Sequence, residues 1–123
     1  MKNNQSLEDY LERILMLQSE IGNVRSVDVA RDMEFSKPSV SIAMKKLEEK
    51  GLVVVKPETG YLDLTDEGRE IAKKTYEKHE TLTNFFKKIG VDPITAESDA
   101  CKIEHDLSDE TFECLQKFLS NEK

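Results

Sequence analysis

Residues 36–64 read SKPSVSIAMKKLEEKGLVVVKPETGYLDL, and the way this stretch folds decides the architecture around it. Ser36 can cap a helix. Pro38 is tolerated in a first turn, where its missing N–H would have no intrahelical acceptor anyway. Val40, Ala43, Met44 and Leu47 recur at helical spacing and supply a stripe to bury. Gly51 stops the helix as a left-handed residue would. Leu52-Val53-Val54-Val55-Lys56 is then a β-branched run, Pro57-Glu58-Thr59-Gly60 a turn, and Tyr61-Leu62-Asp63-Leu64 a return strand. The junction from Leu47 to Leu52 leaves no room for a linker, so hairpin and helix belong to one unit.

Upstream, Val24 to Met33 reads as a short helix with Ser26 as its cap and Val27, Ala30 and Met33 as its buried side. Two short helices joined tightly are a helix-turn-helix, and a hairpin directly behind makes it a winged helix. Residues 6–21 form another helix, capped by Ser6, with Glu8 and Asp9 in the favourable first turn. Leu7, Leu11, Ile14, Leu17 and Ile21 trace its apolar stripe, and Gly22-Asn23 ends it. Asp9 and Glu12 share a face three residues apart, a placement that a solvated acidic first turn also explains.

Downstream, Thr65-Asp66-Glu67 opens a long helix to about Ile89, with Ile71, Thr75, Leu82, Phe85 and Phe86 along its stripe. His79 lies on or beside that stripe, where a histidine is commonly a hydrogen-bonded core residue. Gly90 closes the helix. Pro93 to Leu107 reads as a shorter helix with Ala96, Ala100, Ile103 and Leu107 inward, and Ser108-Asp109-Glu110 caps a last one bearing Phe112, Leu115, Phe118 and Leu119. These last apolar faces exceed what so small a layer can hide, which points to a helical dimer interface. The expected fold is mostly α with a small β-wing. It comprises a winged helix-turn-helix DNA-binding domain over residues 1–64 and, over 65–123, a linking helix plus a helical domain that supplies the dimer interface.

The chain of 123 residues is 35% charged and only 37% hydrophobic, which suits amphipathic helices better than a β-sandwich. Its net charge of −7 argues against unconditional binding to nucleic acid. The acidity is uneven, however. Residues 94–123 carry eight acidic and three basic side chains, whereas Phe35 to Leu47 is acid-free and holds Lys37, Lys45 and Lys46. There is no signal-peptide segment and no apolar run near membrane-spanning length, so the reading is cytoplasmic with no membrane partner. Cys101 and Cys114 form no C-x-x-C pair and are expected as free thiols in a reducing compartment.

Cys101-Lys102-Ile103-Glu104-His105 places a thiol, a carboxylate and an imidazole at i, i+3 and i+4, within about 100° on one helix face. Such a set can hold a divalent transition metal. Alone, the same residues are also what an acidic surface beside a small core cysteine presents. One carboxylate with two histidines is compatible with a metalloenzyme. No strand-supported cleft and no paired nucleophile and base accompany them, so no enzyme is expected.

Five separated stretches resemble the metal-dependent transcriptional repressors of the diphtheria-toxin repressor and manganese transport regulator family. They are Ser6-Leu-Glu-Asp-Tyr-Leu-Glu-Arg-Ile, Ser36-Lys-Pro-Ser-Val-Ser, Leu62-Asp-Leu-Thr-Asp-Glu-Gly, His79-Glu, and Cys101-Lys-Ile-Glu-His-Asp-Leu-Ser-Asp-Glu. Order and spacing match over essentially the whole chain. The resemblance implies a homodimer whose binding to double-stranded operator DNA is switched on by Mn2+ or Fe2+, with Co2+ or Zn2+ as substitutes in vitro. The implied ligands are Asp9, Glu12, His79, Cys101, Glu104 and His105. The chain resembles a hybrid of the family's two branches. It has Asp9 where the manganese branch has Asp and the iron branch Met, and Cys101 where the manganese branch has Glu and the iron branch Cys. Asp9 is a hard ligand favouring Mn2+ or Fe2+, and Cys101 a softer one. Thr83 stands where an ancillary glutamate of the iron branch is expected, so a second metal would share Glu12 with the carboxylates around Glu104. The chain also ends where the iron branch continues into an SH3-like domain. On the recognition helix, Ser36, Lys37, Pro38, Ser39, Ser41, Ile42, Lys45 and Lys46 are the expected DNA contacts. The hydroxyls and lysines would meet phosphates, and Pro38 and Ile42 thymine methyls. A regulator sensing an organic ligand or thiol oxidation is the alternative, and it predicts DNA binding indifferent to chelator.

Overall fold

The computed structural model describes residues 7–121. In chain order it contains α1 (Leu7–Ile21), α2 (Ser26–Met33), α3 (Lys37–Glu49), β1 (Val53–Val55), β2 (Leu62–Leu64), α4 (Asp66–Lys88), α5 (Pro93–Ile103) and α6 (Asp109–Asn121). The chain divides into two compact units, Met1–Lys73 and Lys74–Lys123, and α4 contributes residues to both. The expected cap Ser6 lies outside the described residues. No helix among them is long and apolar enough to cross a membrane.

The first unit is built on one apolar cluster. Leu11, Ile14 and Leu17 of α1 meet Val29 and Ala30 of α2, Val40, Ala43, Met44 and Leu47 of α3, and Leu52, Val53, Leu62 and Leu64 of the hairpin. Full burial of each leucine or isoleucine here stabilises by about 1.5–3 kcal/mol, which is why the helical spacing of these positions selects the fold. On α3 the four buried residues are the four expected from the sequence. Its start is also as expected: the Ser36 hydroxyl accepts from the Ser39 N–H at 3.2 Å, with Pro38 in the first turn. Ser36→Ala is therefore expected to cost about 1 kcal/mol of stability, read as a lower denaturation midpoint at unchanged slope. Gly51 follows α3 with φ +75°, a conformation that disfavours any side chain.

The start of α2 corrects the sequence reading. Arg25, not Ser26, is the N-cap, with φ −115° and ψ 166°. Its backbone N–H donates to Asp28 Oδ2 at 2.9 Å, so Asp28 reaches back to hold the residue outside the helix and Ser26 becomes the first helical position. Arg25 is extended because it pairs with Tyr61 of the hairpin, and Leu62 N–H donates to the Val24 carbonyl at 2.7 Å. The buried set shifts accordingly to Val24, Val29 and Ala30, with Val27 and Met33 only half-buried.

The wing is a two-stranded antiparallel sheet in the register Val53↔Leu64, Val54↔Asp63, Val55↔Leu62. It is shorter than the β-branched run suggests. The Leu52 carbonyl instead accepts from the Thr65 N–H at 3.1 Å, turning the chain into α4. Thr65 caps α4 as expected: its hydroxyl donates to the Gly51 carbonyl at 2.8 Å and accepts from the Gly68 N–H at 3.1 Å.

In the second unit, Asp92 caps α5 by accepting from the Ile94 and Thr95 N–H groups, with Pro93 next. Ala96 and Ala100 are buried, as are Leu82 of α4 and Phe112 of α6. The helix stops at Ile103 rather than at Leu107, and Ile103 is exposed rather than inward. Glu104 is its C-cap, and residues 104–106 form a turn. Ser108 caps α6, accepting from the Thr111 N–H at 3.1 Å. Ile89, Ile94 and Phe118 of this unit are exposed.

Candidate metal centre and nucleic-acid interface

In the second unit, three of the expected metal-binding side chains meet. The Glu104 residue is 1% exposed. Its Oε1 lies 2.9 Å from His79 Nδ1, and its Oε2 lies 3.4 Å from His105 Nε2. His79 comes from α4; Glu104 and His105 come from the turn after α5. Glu104 keeps helical dihedrals (φ −60°, ψ −29°) and its N–H donates to the Ala100 carbonyl at 3.0 Å, so it still follows the helical spacing from Cys101. The other imidazole comes from a second helix, α4. Cys101 remains one turn earlier on α5, half-buried and not in a disulfide.

A carboxylate removed from water is costly unless compensated. The His79 imidazole is within hydrogen-bond distance of Oε1, whereas the His105 imidazole stands 3.4 Å from Oε2 without hydrogen-bond geometry, and these atoms are a nitrogen and oxygen donor set suited to a first-row divalent metal. The donor chemistry thus fits the metal that the sequence implies.

Asp9 and Glu12 belong to the first unit, on α1. Each is only 7% exposed, beside the core residues Tyr10, Leu11 and Ile14. A solvated acidic first turn describes Glu8, which is exposed, but not these two. The Tyr10 hydroxyl is pushed above its ordinary pKa by burial and by the neighbouring Asp9 carboxylate.

The expected DNA-contacting residues, Ser36, Lys37, Pro38, Ser39, Ser41, Ile42, Lys45 and Lys46, are all exposed along α3 and its cap. They occupy the side opposite Val40, Ala43, Met44 and Leu47. Ile42 is 59% exposed, an apolar side chain set among hydroxyls and lysines. Among the described residues, no carboxylate pairs with Lys37, Lys45 or Lys46. Lys56 on the wing is paired with Asp63 at 3.1 Å, in keeping with a small wing contribution. Sequence reading missed Arg25. Its guanidinium lies 4.8 Å from the centre of the Tyr61 ring, and its Nε donates to the Thr59 carbonyl at 2.9 Å, so it adds a cation to the wing. Nothing local signals this, because Tyr61 and Thr59 are more than thirty residues away.

Comparison with known proteins covers both halves of the chain. Residues 4–61 match the iron dependent repressor N-terminal DNA binding domain, and residues 65–123 match the iron dependent repressor metal binding and dimerisation domain. An HTH-type transcriptional regulator of Methanocaldococcus jannaschii is 38% identical over 122 residues, spanning 98% of this chain and 97% of the relative. The transcriptional regulator MntR of Escherichia coli is 37% identical over 112 residues, spanning 91% of this chain and 72% of the relative. The solved structure of the manganese regulator SloR superposes with a TM-score of 0.85 at 31% identity, covering 96% of this chain and 55% of that one.

Proposed function

The chain belongs to the iron-dependent repressor family and is a metal-dependent transcriptional repressor; from that premise we propose that Asp9, Glu12, His79, Cys101, Glu104 and His105 hold Mn2+ or Fe2+ and so license a homodimer to bind double-stranded operator DNA in the cytoplasm. The observation that carries this reading is the buried Glu104 carboxylate between His79 and His105, within the domain that matches the family's metal-binding half. Residues 1–64 serve as the DNA-binding domain and 65–123 as the metal-binding and dimerisation domain.

The metal supplies positive charge that offsets buried carboxylates. The other work falls to the chain's own residues. Asp9 and Glu12 contribute oxygen from α1, His79 and His105 contribute nitrogen, and Glu104 contributes oxygen. Drawing ligands from both domains makes the DNA-binding arrangement conditional on occupancy, as a ligand with differential affinity selects one state of an ensemble. Asp9 biases the set toward hard Mn2+ or Fe2+, and Cys101 adds a softer donor. On DNA, Ser36, Lys37, Ser39, Ser41, Lys45 and Lys46 meet phosphates, while Pro38 and Ile42 offer apolar contact to thymine methyls. The two recognition helices of the dimer then have to reach successive major grooves, roughly 34 Å apart.

A gel shift on DNA from upstream of the chain's own gene tests this, titrating Mn2+, anaerobic Fe2+, Co2+ and Zn2+ in turn. Retardation should appear with Mn2+ or Fe2+ and disappear on adding chelator. Retardation of equal strength in chelator would overturn the proposal.

A further inference from the structure

Glu104 and His105 lie on the short connector between α5 and α6, and a connector that presents two metal-binding side chains needs an anchor of its own. Local bonds tie its two ends. Asp106 N–H donates to the Ile103 carbonyl at 3.0 Å, and Ser108 caps α6. Between them, the Leu107 carbonyl accepts from Lys78 Nζ at 3.1 Å. The same ammonium lies 3.6 Å from Asp109 Oδ1, at the first residue of α6. The Asp109 carboxylate is also held by Lys74 Nζ at 3.0 Å, and the hydrogen bond from Lys74 is the chief reason its pKa lies below the usual carboxylate range. The Lys74–Asp109 pair is exposed and contributes little by itself. Lys78 is different. Its side chain is 15% exposed, although a lysine ordinarily keeps its ammonium in water.

Lys78 and His79 are consecutive on α4, and they take hold of opposite ends of the connector: His79 holds Glu104, and Lys78 holds Leu107. Resting on the metal reading above, we infer that Lys78 is a positioning residue for the metal centre, whose bond to the Leu107 carbonyl, backed by Asp109, fixes the connector that carries Glu104 and His105. Lys78 does not ligate, because an ammonium has donors and no acceptor. Its charge works against a neighbouring cation. Position and charge therefore predict opposite signs when Lys78 is replaced: losing the anchor weakens metal binding, whereas losing only the charge strengthens it.

The test compares the full chain with Lys78→Met, Lys78→Arg and, as a control for loss of one surface charge, Lys117→Met. Mn2+ affinity is measured by calorimetry, and amide hydrogen exchange over residues 104–109 is followed without metal. Lys78→Met should bind Mn2+ roughly 10-fold more weakly, the lower end of what an orienting partner contributes. Its connector amides should exchange faster. Lys78→Arg should recover most of both effects, and Lys117→Met should match the parent chain. Lys78→Gln, shorter and uncharged, replaces the methionine variant if that fails to fold. Unchanged or tighter Mn2+ binding would overturn the inference, as would weaker binding with unaltered connector exchange. A parent chain that binds no Mn2+ would sink the metal reading itself, a failure distinct from a normal parent beside an unaffected variant.

Discussion

Gly68→Ala is expected to lower the unfolding midpoint of the chain by roughly 10 °C, an effect of about 3 kcal/mol. Inside a helix, exchange of glycine for alanine ordinarily stabilises by about 1 kcal/mol, because glycine has more backbone freedom to lose. Gly68 sits in the first turn of α4, where that gain would apply. The opposing effect is larger. A Cβ on Gly68 would lie 2.1 Å from the Leu52 carbonyl oxygen and 3.1 Å from its carbon. Those are backbone atoms, so no side-chain rotation relieves the overlap. Nor can Leu52 withdraw freely, since its carbonyl accepts from Thr65 and its side chain is in the core. Either α4 lifts from the end of α3 or the Thr65 cap breaks, and each loses packing as an overfilled core does. Glu67→Ala, at the exposed neighbouring position, should shift the midpoint by no more than a degree or two. Equal midpoints for the Gly68 and Glu67 variants would show that the strand-to-helix junction is looser than its geometry implies.

That junction was legible in the sequence, but its tightness was not. Thr65 as a cap, Gly51 as a helix stop and Val40, Ala43, Met44 and Leu47 as a buried stripe all follow from signals within a few residues, and all are present. The departures occur where a partner distant in sequence overrides a local preference. Ala96, Ala100, Ile103 and Leu107 keep helical period, so the sequence alone continues α5 to Leu107. In the structure the Glu104 carboxylate is engaged by His79, and the Leu107 carbonyl by Lys78, which are 25 and 29 residues away. The helix ends at Ile103, and both contacts fall in the segment that follows it. Ser26 lost its cap role for the same kind of reason: Arg25 is held extended by Tyr61 across the wing. For the candidate site, the sequence names Glu104, His105 and His79, and the structure brings Glu104 together with both histidines. The spacing predicts Cys101 to His105 on one helix face; in the structure Glu104, the C-cap in helical conformation, meets His79, and His105 lies beside Glu104 in the turn that follows. The burial of Asp9 and Glu12 was equally invisible, since an acidic first turn looks the same whether it is solvated or enclosed.

Glu104→Gln and His79→Ala are each expected to abolish metal-stimulated operator binding while leaving the dimer intact. Glutamine keeps the shape of the side chain and one acceptor oxygen, but it loses the charge. Without metal this should be close to neutral for folding, because removing a buried carboxylate also removes its desolvation penalty. With metal the loss is direct, since Glu104 lies against both histidines in the second unit. Replacing an outer orienting partner in a metal site costs 10–100-fold in affinity, so a ligand should cost more than about 100-fold, or upward of 2.7 kcal/mol. His79→Ala removes the nitrogen beside Glu104 Oε1 and should lose a similar amount. Sedimentation measures the dimer, calorimetry the Mn2+ affinity, and a gel shift the operator complex. Loss of metal affinity with retained operator binding would separate sensing from DNA recognition and refute the switch. Normal metal-stimulated binding by both variants would remove Glu104 and His79 from the site altogether. The stated proposal requires that both measurements fall together, and that millimolar Mn2+, by raising occupancy of a weakened site, restores part of the operator binding in Glu104→Gln.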